Sequence, residues 1–243
     1  ALAFGGASPS RTAVTELYDG SSWTEVSDLN LARDYLCGNG TTTSAIAAAG
    51  ETPGGRTTDA ETWNGSSWTE VANINTARYA ANCAGADNEA ALIFGGDGPP
   101  PTTAITEEWN GSSWTEVADL NAAKSYMGGC GTAEAALASG GYSAPGANVA
   151  TTEYFNGSSW TELNDLNTAR NGLDTSGTYT AALAFGGNNP GLPPGNQVAN
   201  TETWNGTNWT EVNDLNTARN GVGSNGTPTS ALAYGGYLPP GIT

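Results

Sequence analysis

Polar and apolar positions alternate in short runs along the whole chain, and one run returns five times. Its clearest copy, residues 63–78, reads WNGSSWTEVANINTAR. The Ser-Ser-Trp-Thr-Glu-Val part alternates in the way that is typical of a half-buried strand. The Asn-Gly pair before it accepts positive φ at two successive positions, which a tight hairpin turn requires. The pattern therefore predicts a β-hairpin in every copy.

Two further strands are predicted after each hairpin. A polar connection leads to a cationic residue, and a Gly-rich strand ends at a glycine seven residues later. A strand of small residues follows and most often closes on Gly-Gly, so each copy supplies four strands. The cationic residues are Arg33, Arg78, Lys124, Arg170 and Arg219.

The copies follow a nearly fixed period. Their second tryptophans are 45, 46, 46 and 49 residues apart, and they are Trp23, Trp68, Trp114, Trp160 and Trp209. Such a period is the signature of a repeat architecture. We therefore interpret residues 1–243 as one all-β domain of five repeats of about 46 residues.

The order of motifs resembles a known family. A Gly-Gly strand, an aromatic residue before a turn, a tryptophan and then an arginine resemble the kelch repeat. That resemblance implies a four-stranded antiparallel blade of a β-propeller. The motifs Trp-Asn-Gly-x-x-Trp-Thr-Glu, Asp-Leu-Asn-Thr-Ala-Arg and Ala-Leu-Ala-Phe-Gly-Gly also resemble repeats in tail and structural proteins of marine bacteriophages. Five copies then imply a five-bladed propeller, closed by pairing of the N- and C-terminal strands.

The strand count leaves one strand over. The pattern predicts 21 strands, whereas five four-stranded blades need 20. Residues 1–6 (ALAFGG) and 231–236 (ALAYGG) suit the same place in one blade. A tight turn at residues 225–228 ties the C-terminal copy to its neighbouring strand, so we expect that copy to fill the place. The N-terminal copy would then be mobile or would exchange between subunits, which would give an oligomer.

Candidate ligand contacts lie in the loops after Gly-Gly and around the cationic residues. These loops vary in length and sequence while the hairpins stay nearly constant, which is typical of binding loops on a rigid scaffold. The cationic residues should circle one end of the central channel, where they either bind an anion or pair with strand glutamates. Nearby tyrosines either stack on a sugar or fill the channel. The candidates are Arg11, Arg33, Tyr35, Arg56, Arg78, Tyr79, Lys124, Tyr126, Tyr142, Arg170, Asn188, Asn189 and Arg219.

Composition argues against several function classes. The chain has 24 acidic and 7 basic residues and no histidine, giving a net charge of -17. This charge opposes binding to nucleic acid or anionic membranes, and no apolar run is long enough for membrane insertion. Without histidine, a Ser-His-Asp or Cys-His relay is impossible. The three cysteines lack metal-site spacing, so we expect no enzyme activity, metal or cofactor.

These observations predict a non-catalytic binding module. We expect its partner to be a glycan, a cell-surface receptor or a virion protein, and its location to be extracellular or on a virion surface. Two alternatives stay open from the sequence. One is a structural or protein-interaction scaffold, and the other is a designed or truncated repeat protein without a ligand of its own.

Overall fold

The chain folds into β-strands only. The computed structural model describes residues 1–7, 9–144, 146–191 and 196–238, which hold 26 strands and no helix. No helix in these residues is therefore long and apolar enough to cross a membrane. In chain order the strands are β1 (Leu2–Phe4), β2 (Thr15–Tyr18), β3 (Trp23–Glu25), β4 (Cys37–Gly40), β5 (Ala45–Ala48), β6 (Glu51–Thr52), β7 (Gly55–Arg56), β8 (Ala60–Trp63), β9 (Trp68–Glu70), β10 (Asn82–Gly85), β11 (Ala91–Phe94), β12 (Thr106–Trp109), β13 (Trp114–Glu116), β14 (Lys124–Ser125), β15 (Gly128–Thr132), β16 (Ala135–Ser139), β17 (Tyr142–Ser143), β18 (Ala147–Asn148), β19 (Thr152–Phe155), β20 (Trp160–Leu163), β21 (Asp174–Thr178), β22 (Ala181–Phe185), β23 (Thr201–Trp204), β24 (Trp209–Glu211), β25 (Asn220–Thr227) and β26 (Ser230–Tyr237).

Four sheets have four antiparallel strands each, as the sequence predicts. They are β4–β5–β8–β9, β10–β11–β12–β13, β15–β16–β19–β20 and β21–β22–β23–β24. The chain begins with the three-stranded sheet β1–β2–β3 and ends with the two-stranded sheet β25–β26. Four strands that the sequence does not predict, β6, β7, β17 and β18, are two-residue segments in the loops, and β14 is a two-residue segment at the start of a predicted Gly-rich strand.

The hairpin turn differs from the predicted one. Trp63 pairs with Trp68, so four residues form the loop, and only Gly65 has positive φ, at 94°. The Asn64 side-chain oxygen instead accepts hydrogen bonds from the backbone N–H groups of Ser66 and Ser67, both at 3.0 Å. Asparagine is therefore selected here as a local acceptor. The expectation of positive φ at both Asn and Gly was wrong.

The sheets pack face to face through the second tryptophan of each hairpin. Four of these tryptophans are buried, namely Trp68, Trp114, Trp160 and Trp209, whereas Trp23 is half-buried. Trp160 shows the arrangement: its indole N–H donates to the Thr106 hydroxyl of the preceding sheet at 3.1 Å, and its ring lies 5.0 Å from that of Phe94. The first strands of successive sheets also contact one another in the order β4, β10, β15, β21 and β25.

The two copies of the surplus strand have different partners. β1 pairs with β2, with Leu2 opposite Leu17 and Phe4 opposite Thr15. β26 pairs with β25 and, among the described residues, with no other strand. The expectation that the C-terminal copy holds the place beside β2 was wrong. The N-terminal copy is fixed by further contacts, because the Phe4 ring packs 4.8 Å from the Trp68 ring.

The C-terminal end lacks contacts that the earlier repeats make. Among the described residues, no ladder joins β25–β26 to β1–β2–β3. Tyr234 on β26 instead packs its ring 5.2 Å from that of Trp23, and its hydroxyl donates to the Leu2 carbonyl at 3.3 Å. Leu215 is partly exposed, whereas its counterpart Leu166 is buried. The face beside β26 is therefore open.

Deleting residues 1–6 should destabilise the protein. The deletion exposes the Phe4-binding face of Trp68 and removes buried Leu2, so we expect a loss of about 3 kcal/mol, since each side chain contributes about 1.5 kcal/mol or more. Thermal denaturation measures it as a fall in melting temperature of several degrees. Removing residues 230–243 is the matched control and should cost less, because β26 is largely exposed. An unchanged melting temperature after deletion of residues 1–6 would contradict the strand assignment.

Candidate functional site

One end of the sheets gathers most of the candidate residues, and we call it the loop end. It comprises the five loops that follow Gly-Gly and the residues that enter each first strand. The second residue after each cationic residue has positive φ, between 49° and 63°. These residues form a chain of backbone hydrogen bonds in which each N–H donates to the carbonyl of the preceding member, over 2.7–2.9 Å. The members are Tyr35, Ala80, Tyr126, Gly172 and Gly221.

Three tyrosines meet at the loop end and form what we call the tyrosine cluster. The Tyr35 ring lies 5.7 Å from the rings of both Tyr79 and Tyr126, and the latter two are 6.3 Å apart. Burial raises the pKa of Tyr79 and of Tyr126, so both stay neutral hydrogen-bonding groups at neutral pH. Tyr35 is 50% exposed and presents its ring to solvent. The cluster thus consists of two half-buried rings, Tyr79 and Tyr126, that pack against the exposed ring of Tyr35.

Four of the five cationic residues are unavailable to a ligand. Each is buried and pairs with a glutamate on the third strand of its own sheet, over 2.7–3.0 Å. Of the two roles that the sequence leaves open, pairing with strand glutamates describes these four residues, and their listing as candidate ligand contacts is corrected. The pairs are Arg33–Glu61, Arg78–Glu107, Lys124–Glu153 and Arg170–Glu202.

The buried pairs also tie the polar connection to the sheet. Arg78 donates to Oε1 of Glu107 at 2.8 Å, while the backbone N–H and the amide of Asn75 donate to Oε2, both at 2.6 Å. Both carboxylate oxygens of Glu107 are thus engaged. Burial lowers the pKa of Arg78, and the Glu107 charge opposes that shift. The paired carboxylate is what makes a buried guanidinium tolerable here.

The two loop arginines connect each loop to the next repeat. Arg11 donates to Asp34 and to Glu51, both at 2.6 Å. Arg56 donates to Asp97 at 2.5 Å, and its guanidinium lies 5.7 Å from the centre of the Tyr79 ring. Both arginines are partly exposed, and their acidic partners lie beside the tyrosine cluster. Charged groups therefore border the cluster, but each loop cation already has a carboxylate.

The remaining candidates lie along the loop end and near the open face beside β26. Tyr142 is 37% exposed and pairs with Ser125 through the backbone. The backbone carbonyl of Asn188 accepts a hydrogen bond from the side-chain amide of Asn148 at 2.7 Å. The Asn189 side chain accepts from the Gly191 N–H at 3.0 Å, which shapes the loop. Arg219 differs from the other cationic residues: it is half-exposed and donates to the Gly235 carbonyl at 3.1 Å.

Sequence reasoning missed the acidic members of the loop end. Asp34, Glu51 and Asp97 each hold a loop arginine. Their positions offered a signal, because Asp34 directly follows a cationic residue and the other two directly follow a Gly-Gly-type strand end. Residues at those positions lie at the loop end of the sheets, so their position alone could have identified them as candidate site residues.

A cavity of about 220 Å³ lies between the first strands of the sheets. Its lining includes Asp174 on β21, Asn82 on β10 and Ser224 on β25, and burial raises the pKa of Asp174 to about 6. Cys37, also in the lining, forms a disulfide with Cys83 that joins β4 to β10. Cys130, the third cysteine, is buried and unpaired.

The loop end offers aromatic stacking and hydrogen bonding. Its groups are tyrosine rings and hydroxyls, carboxylates and amides, and the chain contains no histidine to act as a proton relay. No protein-family model matches the chain, and no curated protein matches it significantly. Function is therefore inferred from the geometry.

Proposed function

We propose that this protein is a non-catalytic binding module that holds a glycan or a glycan-bearing receptor at the loop end. The observation that supports this most is the tyrosine cluster, in which two half-buried rings support the exposed ring of Tyr35. An aromatic ring fixed by its neighbours loses little conformational entropy when a ligand stacks on it. Polar groups around it supply orientation, as in most small-ligand sites.

The scaffold we propose is a five-bladed propeller of kelch-like repeats. Five first strands in sequence, and five residues in one backbone hydrogen-bond series, support five blades around one axis. In this arrangement β25 is the inner strand of a fifth blade that β1, β2 and β3 complete. If β1 took the place of β26 beside β25, Arg219 would come to Glu16, as Arg33 meets Glu61 in the next sheet. The N- and C-terminal strands would thus close the ring.

The proposed location of the protein is extracellular or on a virion, because its repeats resemble those of phage tail proteins. A disulfide between neighbouring sheets fits an oxidising environment. The net charge of -17 keeps such a particle-bound module from adhering to nucleic acid. A protein-interaction scaffold is the second candidate, because the open face beside β26 leaves an eight-residue strand edge that a partner strand could extend.

The proposal is tested by exchanging the loops. Residues 7–14, 51–59, 97–105, 142–151 and 188–200 are replaced by one repeated neutral loop, and binding is measured on a glycan array and on host cells. We expect binding to disappear while circular dichroism still reports the same β-structure. A second variant, Tyr35→Ala, keeps the test valid if the exchanged protein does not fold. Binding that survives both changes would contradict a loop-end site.

A further inference from the structure

We infer that the ligand held at the loop end is an uncharged, hydroxyl-rich sugar, with Tyr35 as its stacking ring. This inference rests on the proposed function and narrows it, because glycans fall into neutral and acidic classes that need opposite partners. Acidic sugars carry carboxylate or sulfate groups, which proteins bind through free arginine or lysine side chains. Neutral sugars need an apolar face and hydrogen-bonding groups for their hydroxyls.

Six of the chain's seven cations already have a carboxylate partner. The chain has seven lysine and arginine residues in total, and the structure describes all seven. Four are buried in ion pairs within the sheets. Two more, Arg11 and Arg56, are paired with carboxylates at the loop end. The seventh, Arg219, lies at the open face beside β26, where it donates to the Gly235 carbonyl. The arginines that contact the tyrosine cluster or its bordering carboxylates are therefore all compensated, and Arg219 is the one cation of the loop end without a carboxylate partner among the described residues.

Two carboxylates at the loop end supply hydrogen-bond acceptors for a ligand. Arg11 engages only Oδ1 of Asp34 and Oε2 of Glu51. The other oxygen of each carboxylate takes no hydrogen bond from the described residues. The two side chains are 15% and 30% exposed, so a ligand hydroxyl can reach them. A carboxylate oxygen held by arginine is a strong, oriented acceptor for a hydroxyl, whereas it repels an acidic sugar.

Tyr35 supplies the exposed aromatic face. Tyr35 has a φ of 49°, and Ala80 donates its N–H to the Tyr35 carbonyl at 2.9 Å, which fixes the backbone. Its ring meets Tyr126 edge-on at 84°, so one ring supports the other. The apolar C–H face of a pyranose can stack on such a ring, while its equatorial hydroxyls reach Asp34, the residue directly before Tyr35 in the chain.

Matched glycan pairs test the inference. The probes are immobilised oligosaccharides with and without a terminal sialic acid, and with and without sulfate, measured by biolayer interferometry. We expect each neutral member to bind at least tenfold more tightly than its acidic partner. Affinity should change less than twofold between about 50 and 500 mM NaCl, because no ligand charge is screened.

Three tyrosine variants locate the stacking ring. Tyr35→Ala should weaken binding at least tenfold, whereas Tyr35→Phe, which keeps the ring, should stay within threefold of the parent. The control is Tyr179→Ala, since Tyr179 is 40% exposed and lies in the turn after β21, at the other end of the sheets. It should leave binding unchanged.

The outcomes separate this inference from the proposed function. Tight, salt-sensitive binding of sialylated or sulfated probes that the loop exchange abolishes would overturn the neutral-sugar inference and leave a loop-end site standing. Binding of a protein receptor that carries no glycan would overturn both this inference and the proposed glycan ligand. Glycan binding that the loop exchange leaves intact would overturn both. A neutral preference that is lost in Tyr35→Ala supports both.

Discussion

Replacing Arg78 by alanine should lower the free energy of unfolding by about 3–5 kcal/mol, the usual cost of removing one partner of a buried ion pair. Arg78 and Glu107 are both completely buried, and they form a 2.8 Å ion pair. The substitution leaves the Glu107 carboxylate in the interior with only the Asn75 groups and Thr76 as donors. Urea denaturation followed by tryptophan fluorescence measures the loss.

Two controls separate burial from charge pairing. Arg56→Ala removes an arginine from a partly exposed pair and should cost less than about 1 kcal/mol. The double change Arg78→Met with Glu107→Leu removes both buried charges and should recover most of the lost stability, because no uncompensated charge remains. If Arg78→Ala cost no more than Arg56→Ala, the assignment of the cationic residues to the sheets would be wrong.

Replacing Trp160 by alanine should also cost about 3–5 kcal/mol, as is typical for a large buried aromatic side chain. Trp160 is 6% exposed and packs against Phe94 and Phe155. The same change at Trp23 should cost less, because that side chain is half-buried at the open end of the series. Equal losses at both positions would show that the N-terminal sheet packs as tightly as the others.

Two Trp→Phe substitutions measure the contribution of the indole hydrogen bond to stability. Trp160→Phe removes the hydrogen bond to the Thr106 hydroxyl, whereas the Trp114 indole N–H has no partner among the described residues. The position equivalent to Thr106 in the sheet before Trp114 is Ala60, which has no hydroxyl. Trp160→Phe should therefore be more destabilising than Trp114→Phe by about 0.5–1.5 kcal/mol, the net value of one hydrogen bond.

The sheets could be predicted from the sequence because the same strand and turn patterns recur in each repeat. The Trp-Thr-Glu strand, the glycine-terminated first strand and the small-residue second strand recur in step, so errors in one copy are corrected by the others. The four complete sheets each hold four strands, as the recurrence predicts. The strand pairing at the termini could not be predicted in this way. ALAFGG and ALAYGG are nearly identical, and contacts such as Phe4 on Trp68 decide between them.

The candidate site was predicted only in part, for a related reason. Recurrence identifies which residues are equivalent but not whether they face a ligand or the interior. Arg33 and Tyr35 are two residues apart, yet one is buried against Glu61 and the other is half exposed. The disulfide was missed because Cys37 and Cys83 lie at different offsets from their cationic residues, while β4 and β10 still bring their Cα atoms within 5.6 Å.

The proposed ligand binds at the loop end, on the tyrosine cluster. The most direct measurement is an NMR titration of the ¹⁵N-labelled protein with the best-bound neutral oligosaccharide from the paired probes. We predict that amide shifts concentrate on Tyr35, Ala80 and Tyr126 and on the loop residues around Asp34 and Glu51. Shifts concentrated on the Asn-Gly turns at the opposite end, or on β26 and Arg219 at the open face, would contradict it.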